Sequence, residues 1–340
     1  MKVSDYNYNL PDNLIAIHPP KTRGSSRLLV LDKRTGQIKH SKYAKLANYL
    51  SEGDLVILND TKVIKARLIV KNRRDQIREL LLLEDHNNTD FTKRRAIYRG
   101  KIHNDEVLYI GNQEIKITKV LSGGIAEISS STNLIDLAEH EGSVPLPPYM
   151  HRDAEEKDNK RYQTVFAKTP GSVAAPTASL NFTKELQQQL ITSGVRISYI
   201  TLHVGLGTFL PIRSDDIEAH EMHSEYFEIP AETTNAIRQT KATGKRVVAV
   251  GTTVTRTLEF CSDDIMSSNK KLTGEANIFI YPGYNFKCVD VMLTNFHAPR
   301  STVLMMAAAF AGWKNLLNSY EIAKQEKYSF LSYGDSMLIH

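Results

Sequence analysis

The chain has 340 residues, of which 41% are hydrophobic and 24% charged, and its formal net charge is +5. This composition indicates a globular protein of about two domains, and the longest apolar run, VLMMAAAFAGW, is too short to cross a bilayer. The mild positive charge permits an anionic partner such as nucleic acid without requiring one. Cys261 and Cys288 have no CxxC spacing, and MKVSDYNYNL lacks the pattern of a secretion signal, so we expect a cytoplasmic protein.

The first 60 residues combine a short helical signal, PDNLIAIHP, with strands at RLLVLD and DLVILND. From about Thr61 to Ser143 the pattern changes to short alternating segments separated by polar or glycine-containing turns. These segments are KVIKARLIV, IRELLLLE, RAIYR, EVLYIG, EIKITKV and GGIAEIS. Such closely spaced strands predict a small antiparallel sheet or barrel. The proline-rich VPLPPYM that follows predicts a stiff, extended connector.

From about Tyr149 onward, helices alternate with strands. FTKELQQQLITSG predicts an amphipathic helix capped by Thr183 and ended by Gly194, and WKNLLNSYEIAKQEKY predicts a final helix. Strands are predicted at 195–204, 246–250, 277–281 and 288–294. The predicted fold is therefore mixed α/β, with a discontinuous larger domain (1–60 and 149–340) and an inserted antiparallel β-barrel domain (61–148).

Three predicted strands end in polar loops. VRISYITLHVGLGTF ends on His203 and continues through Gly205, Gly207 and Thr208. The other two, KRVVAVGTTVTRTLE and VDVMLTNFHAPRST, carry Thr252, Thr253, Arg256, Asn295 and His297. Because ligands of open α/β sheets bind at the carboxyl ends of the strands, we expect these loops to form one site for a small polar ligand. Thr252 or Thr253 can cap a helix whose amino terminus favours a carboxylate or phosphate, or can serve as an ordinary cap.

Three other segments each have a functional and a structural interpretation. HEMHSEYFEIP contains an HxxH pattern with acidic neighbours, but a third ligand and a helical context are missing, so we expect no metal site. APTASLNFT supplies Thr177, Ser179 and Asn181 in a small-residue loop that a flat ring could approach, or it simply begins a helix. The basic residues of the barrel segment form a solvated face, or they follow an RNA backbone.

Motifs along nearly the whole chain resemble those of one family. They are SRLLVLD, EGDLVILNDTKVIKARL, VPLPPY, RYQTVFAK, AAPTASLNFT, ITLHVGLGTF, MHSEYFEIP, VGTTVTRTLE, IFIYPGY, LTNFHAPRSTVLMM and FLSYGDSMLI. In this order they are similar to the S-adenosylmethionine:tRNA ribosyltransferase-isomerase family of queuosine biosynthesis. The fold of that family, an α/β domain with an inserted small β-barrel, agrees with the pattern above.

The resemblance implies a transferase that uses S-adenosylmethionine as a ribosyl donor. The acceptor would be 7-aminomethyl-7-deazaguanine at the tRNA wobble position, and the products would be epoxyqueuosine in tRNA, adenine and methionine. S-Adenosylmethionine is then a co-substrate, and no prosthetic group or metal is expected. The implied partners are S-adenosylmethionine and the precursor-bearing tRNA, with no membrane contact, and we expect a monomer.

The resemblance also suggests site residues. We expect His203, His297 and Asp335 to line the reacting centre, with Thr252, Thr253 and Arg256 holding the methionine carboxylate. The remaining expected substrate contacts come from the loops and small-residue segments: Thr177, Ser179, Asn181, Gly205, Gly207, Thr208 and Asn295.

The chain departs from the family pattern A-P-T-A-G-L-H-F at Ser179 and Asn181, and from G-T-F-R-P at Leu210. Asn181 can donate and accept hydrogen bonds but cannot take up a proton near neutral pH. A divergent homologue with another acceptor, or an RNA-binding protein without this activity, are the alternatives.

Overall fold

A mixed sheet is the centre of the larger part of the protein, in a computed structural model that describes residues 1–84, 89–205, 215–217, 220, 222 and 224–340. In spatial order its strands are β15 (Leu272–Ala276), β13 (Glu225–Ile229), β12 (Arg196–Leu202), β3 (Leu55–Asn59), β14 (Val247–Val250), β16 (Val291–Asn295), β17 (Ser336–Ile339), β1 (Arg27–Leu31) and β2 (Ile38–Lys42). The four neighbours β12, β3, β14 and β16 are parallel to one another. Their carboxyl ends therefore lie along one edge of the sheet.

The central strands are continuous apolar runs because both faces of the sheet are covered. Every residue of β3, β14 and β16 is buried, as expected for parallel strands between two layers. The covering helices are α3 (Lys184–Thr192), α4 (Ala231–Ala242), α5 (Thr252–Phe260), α6 (Ser262–Ser267), α7 (Thr302–Ala311) and α8 (Trp313–Gln325), and a short helix α2 (Glu156–Arg161) precedes them. None of the helices in the described ranges has the length and apolar character to cross a membrane.

Residues 67–130, which lie in the chain between β3 and β12 of this sheet, form a closed antiparallel barrel. Its strands follow one another in space as β10 (Ile125–Ser130), β7 (Lys93–Arg99), β6 (Ile77–Leu82), β5 (Arg67–Asn72), β8 (Val107–Ile110) and β9 (Gln113–Val120). Along β5, Leu68 and Val70 are buried inside the barrel whereas Ile69 is half-exposed. The prediction is based on this alternation between buried and exposed positions, and the predicted barrel is confirmed. Helix α1 (Leu134–Glu141), capped by Asn133, packs against it.

The two chain segments that lead into and out of the barrel run side by side. Strands β4 (Thr61–Val63) and β11 (Thr169–Ser172) pair in parallel as a separate two-stranded sheet. Closer to the barrel, Arg67 and Ser143 exchange backbone hydrogen bonds of 3.1 and 2.9 Å. The barrel is thus an insertion whose two ends meet.

Two predicted elements differ from the structure. Residues 277–281 are not a strand; the strand is β15, five residues earlier, where Gly274 pairs opposite Phe227 of β13. The aromatic residues Phe279 and Tyr281 instead pack edge to face with centroids 5.3 Å apart. The predicted helix in PDNLIAIHP is a single 3₁₀ turn, Asp12–Leu14, because the following residues extend alongside Phe330 and exchange backbone hydrogen bonds with it.

Candidate active site

A cavity of about 430 Å³ lies at the carboxyl edge of the central strands. This volume is within the range of about 300–1,000 Å³ typical of small-molecule sites. The segments that follow three parallel strands line it: Val204 after β12, residues 251–253 after β14, and residues 294–303 from the end of β16 to the start of α7. Pro148, Tyr149, Tyr162, residues 174–178, Leu331 and Ser332 complete the wall. The crevice predicted from the strand ends is therefore present.

Helix α5 begins at this cavity without a capping side chain. Gly251 occupies the N-cap position with φ 101°, a left-handed conformation that favours glycine. Thr252 and Thr253 are the first helical residues and both line the cavity, so the prediction that one of them caps the helix is wrong. A threonine cannot easily adopt the backbone that this N-cap requires. The first-turn amides of α5 consequently have no side-chain acceptor in the described part of the chain, and an amino terminus of this kind attracts an anion.

A second helix, α7, also begins at the cavity. The Ser301 hydroxyl caps it by accepting a 3.2 Å hydrogen bond from the Leu304 amide. The preceding residue, Arg300, is exposed, lines the cavity and has φ 55°. Its amide donates to the Tyr6 carbonyl at 2.9 Å, which fixes the loop between β16 and α7.

His297 is the imidazole that lines this cavity. Its Nε2 lies 2.8 Å from Thr294 Oγ1. Its backbone is held on both sides by tyrosines, because the amide donates to Tyr320 Oη at 2.9 Å and the carbonyl accepts from the hydroxyl of Tyr8. Burial lowers the pKa of His297 to about 3, so the ring is neutral at physiological pH and a nitrogen lone pair can accept a hydrogen bond.

Two tyrosines form an aromatic wall that was not among the predicted site residues. Tyr149 Oη accepts a 2.9 Å hydrogen bond from the Ser332 amide and donates to the hydroxyl of Ser332. Burial raises the pKa of Tyr149 to about 12, so its hydroxyl stays protonated. Tyr162 is fully buried and stands edge-on to Tyr333. The motifs VPLPPY and RYQTVFAK contain both tyrosines, but nothing in their spacing indicated that they face a ligand.

His203 lies outside this cavity, although its neighbour Val204 lines it. The His203 Nδ1 is 2.6 Å from Thr61 Oγ1, and its ring stacks on Tyr226 with centroids 6.0 Å apart. A Cβ on Gly171 would come within 2.8 Å of the imidazole. Of the two histidines predicted to share one centre, only His297 lines the cavity.

Arg256 is also turned away from the cavity. It is 8% exposed and forms a buried ion pair with Glu225 of β13. Glu225 accepts a 3.1 Å hydrogen bond from the Gly205 amide, so the pair ties α5 to the segment that follows β12. Gly205 itself does not line the cavity. This arrangement accounts for the Arg256 charge without a ligand.

Asp335 and two of the family departures, Ser179 and Asn181, are not among the residues that line the cavity. Both carboxylate oxygens of Asp335 accept backbone hydrogen bonds, from Arg27 at 2.6 Å and Ser329 at 2.8 Å, and burial raises its pKa. Asn295 lines the cavity and donates to the Asp335 carbonyl at 3.4 Å. Ser179 and Asn181 are buried and do not line the cavity; Asn181 Nδ2 donates to the Gly334 carbonyl at 3.3 Å.

The structure thus brings five predicted site residues to one cavity: Thr177, Thr252, Thr253, Asn295 and His297. Gly207, Thr208 and the departure at Leu210 lie outside the described residues. So do Glu221 and His223 of the HxxH segment, whereas His220 packs edge-on against Phe279 with centroids 5.3 Å apart.

Comparisons with known proteins place this geometry in context. The profile of a family described as queuosine biosynthesis protein matches residues 3–339. An S-adenosylmethionine:tRNA ribosyltransferase-isomerase of Pelodictyon phaeoclathratiforme is 52% identical over 343 residues, and one of Francisella tularensis subsp. novicida is 44% identical over 344 residues, each with 100% of both chains covered. The crystal structure of S-adenosylmethionine tRNA ribosyltransferase from Thermotoga maritima is similar with a TM-score of 0.58 and 32% identity, covering 99% of this chain and 100% of that one.

Proposed function

This chain belongs to the family of queuosine biosynthesis proteins, and on that premise we propose that it acts as an S-adenosylmethionine:tRNA ribosyltransferase-isomerase. It transfers the ribosyl part of S-adenosylmethionine to 7-aminomethyl-7-deazaguanine at the tRNA wobble position, giving epoxyqueuosine and releasing adenine and methionine. The observation that carries the proposal is the cavity at the strand ends, which combines aromatic walls, a neutral imidazole and two helix amino termini. The aromatic walls suit the adenosine, the neutral imidazole suits the positive sulfonium, and the helix amino termini suit the methionine carboxylate.

His297 is the proposed residue in contact with the reacting atoms. The positive sulfur of S-adenosylmethionine acidifies the adjacent 5′ carbon, so a base near that carbon can take up its proton and leave a carbanion that the sulfonium stabilises. A neutral imidazole is compatible with a cationic ligand, because it adds no like charge and offers a nitrogen lone pair. Adenine leaves more easily when its ring nitrogen receives a hydrogen bond.

His203 and Asp335 have supporting positions in this proposal. His203 fixes the end of β12 through Thr61, next to the cavity residue Val204. The Asp335 carboxylate accepts a hydrogen bond from the Arg27 amide, and the Asp335 carbonyl accepts one from the Asn295 side chain. We therefore propose that His203 and Asp335 position the site, whereas His297, Asn295, Thr177, Thr252 and Thr253 contact S-adenosylmethionine.

The barrel is the proposed contact for tRNA, and residues 61–148 are proposed as its domain. Arg95 of β7 and Lys119 of β9 are both exposed and lie on either side of Glu127 of β10. Cationic side chains on neighbouring strands can follow a phosphate backbone. We further propose a monomeric, cytoplasmic enzyme with no prosthetic group.

The test is adenine release. The protein is incubated with S-adenosylmethionine and with tRNA that carries the aminomethyl precursor, and both adenine and nucleoside composition are measured. Release that requires this tRNA, with epoxyqueuosine formed, supports the proposal. Release without tRNA supports a divergent homologue with another acceptor. Retention of the tRNA without adenine supports an RNA-binding protein that lacks the activity.

A further inference from the structure

Arg300 is distinguished from the other residues of the cavity by its charge. Among the described residues that line the cavity, it is the single lysine or arginine, and no aspartate or glutamate lines the cavity with it. Its guanidinium has no hydrogen bond or ion pair with any residue in the described part of the chain, in contrast to Arg256, which pairs with Glu225. A cation without a protein counter-charge is available to a ligand anion.

The backbone of Arg300 indicates that this position is constrained. Its φ of 55° lies in the left-handed region, where a glycine or asparagine has a smaller energetic cost. Leu331, also on the cavity wall, has φ 69°. Such residues concentrate at ligand sites, where the surrounding structure holds them in place. For Arg300 that support includes the hydrogen bond from its amide to Tyr6.

Other donors without a protein acceptor converge on the same cavity. The amino terminus of α5 has no capping side chain, and Arg300 itself stands immediately before the N-cap residue of α7, Ser301. The Tyr162 side chain is fully buried (0% exposed) and also lines the cavity. Thr253 Oγ1 is buried without a hydrogen-bond partner in the described part of the chain. A fork-shaped cation next to free donors matches a carboxylate.

We propose that Arg300, at the amino terminus of α7, binds the carboxylate of the methionine moiety of S-adenosylmethionine, in place of the buried Arg256 expected from the sequence. This inference rests on the proposed function. It assigns Arg300 as the residue that distinguishes an amino-acid-bearing adenosyl ligand from one without a carboxylate. The adenosine is then directed toward the wall formed by Tyr149 and Tyr162.

Calorimetric binding with a graded set of ligands tests the assignment. The ligands are S-adenosylmethionine and S-adenosylhomocysteine, which carry the carboxylate, and decarboxylated S-adenosylmethionine and 5′-methylthioadenosine, which do not. Arg300→Gln should weaken the first two by about 10- to 100-fold, as for loss of a charged hydrogen bond, and leave the last two unchanged. Arg300→Gly should do the same, and glycine accepts the φ of this position, so folding is preserved. Arg34→Gln, at an exposed arginine away from the cavity, is the matched control.

Equal weakening of all four ligands, or of none, overturns the assignment. Weakened tRNA binding with unchanged ligand affinity overturns it in favour of a phosphate contact. A cavity-filling variant, Ala175→Trp, separates this result from failure of the proposed function. If wild-type protein binds the ligands and Ala175→Trp abolishes binding while Arg300→Gln does not affect it, the carboxylate assignment fails and the proposed function stands. If wild-type protein binds none of the four ligands, both fail.

Discussion

The imidazole of His203 occupies the space that a side chain on residue 171 would need. A Cβ at Gly171 would lie 2.8 Å from both Cε1 and Nε2 of the ring, and the φ of 149° at this glycine is one that other residues rarely adopt. Gly171 belongs to β11, which pairs with the strand leading to the barrel. The close approach therefore links the end of β12 to the base of the barrel.

Gly171→Ala should lower the free energy of unfolding by about 1–3 kcal/mol, because the new methyl group overlaps the ring. In a His203→Ala background the same change should have a smaller effect, because the ring is absent. Urea denaturation of the four proteins in this double-mutant cycle measures the coupling. Additive effects of the two substitutions would show that the contact has no energetic consequence.

His297→Ala should reduce kcat/KM for tRNA-dependent adenine release by about 10²- to 10⁴-fold, the usual effect of removing a general base. His203→Ala should act mainly by loosening the site, with a smaller loss and a larger share of it in KM. His140→Ala, at an exposed histidine of α1, is the control. Wild-type turnover in His297→Ala would remove this residue from the mechanism.

Desolvation of the partly buried His297 should also make stability depend on pH. The folded protein keeps this imidazole neutral down to a pKa of about 3, whereas the unfolded chain binds a proton below 6.5. The unfolding free energy should therefore fall as the pH is lowered from 6.5, by at most about 1.4 kcal/mol per pH unit from this group. Replacement by glutamine should remove that part of the slope, as measured by urea denaturation at several pH values. An unchanged slope in His297→Gln would contradict the burial argument.

The contributions of Arg256 and Glu225 to the stability of the protein should depend strongly on each other. Arg256→Met leaves the Glu225 carboxylate buried without its cation and should cost about 3–5 kcal/mol of stability. Adding Glu225→Gln removes that charge and keeps an oxygen for the Gly205 amide, so the double variant should be more stable than Arg256→Met alone. Thermal denaturation of the three proteins measures this difference. A double variant less stable than Arg256→Met would contradict a charge-based explanation.

The proposed contact between the barrel and tRNA can be tested through the salt dependence of tRNA binding. If Arg95 and Lys119 contact phosphates, replacing either with glutamine should lower tRNA affinity and reduce the slope of log affinity against log salt by about 1. Lys39→Gln, on the exposed edge strand β2, should change neither quantity. Filter binding over a range of salt concentrations gives both. An identical salt slope in all variants would place the tRNA elsewhere.

The sequence predicted the barrel and the strand-end cavity because both depend on regular patterns. Alternation of apolar residues specifies each barrel strand, and apolar runs followed by polar loops specify the parallel strands. The orientation of single side chains could not be predicted in this way. Val204 lines the cavity whereas its neighbour His203 contacts Thr61 and Tyr226, and sequence alone does not say which of two adjacent side chains faces the ligand. Arg256 faces Glu225 because of packing between α5 and β13, which are more than twenty residues apart in the chain.

The paired backbone of Arg67 and Ser143 has a consequence for how this molecule can be rebuilt. Residues that exchange two hydrogen bonds across antiparallel strands have Cα atoms only about 5.5 Å apart, so a turn of a few residues could join them. We therefore expect that the barrel could be excised, or replaced by the barrel of a relative, with the strand order of the larger sheet retained. If the barrel holds the tRNA as proposed, chimaeras joined at this point should exchange the choice of tRNA while leaving the chemistry unchanged.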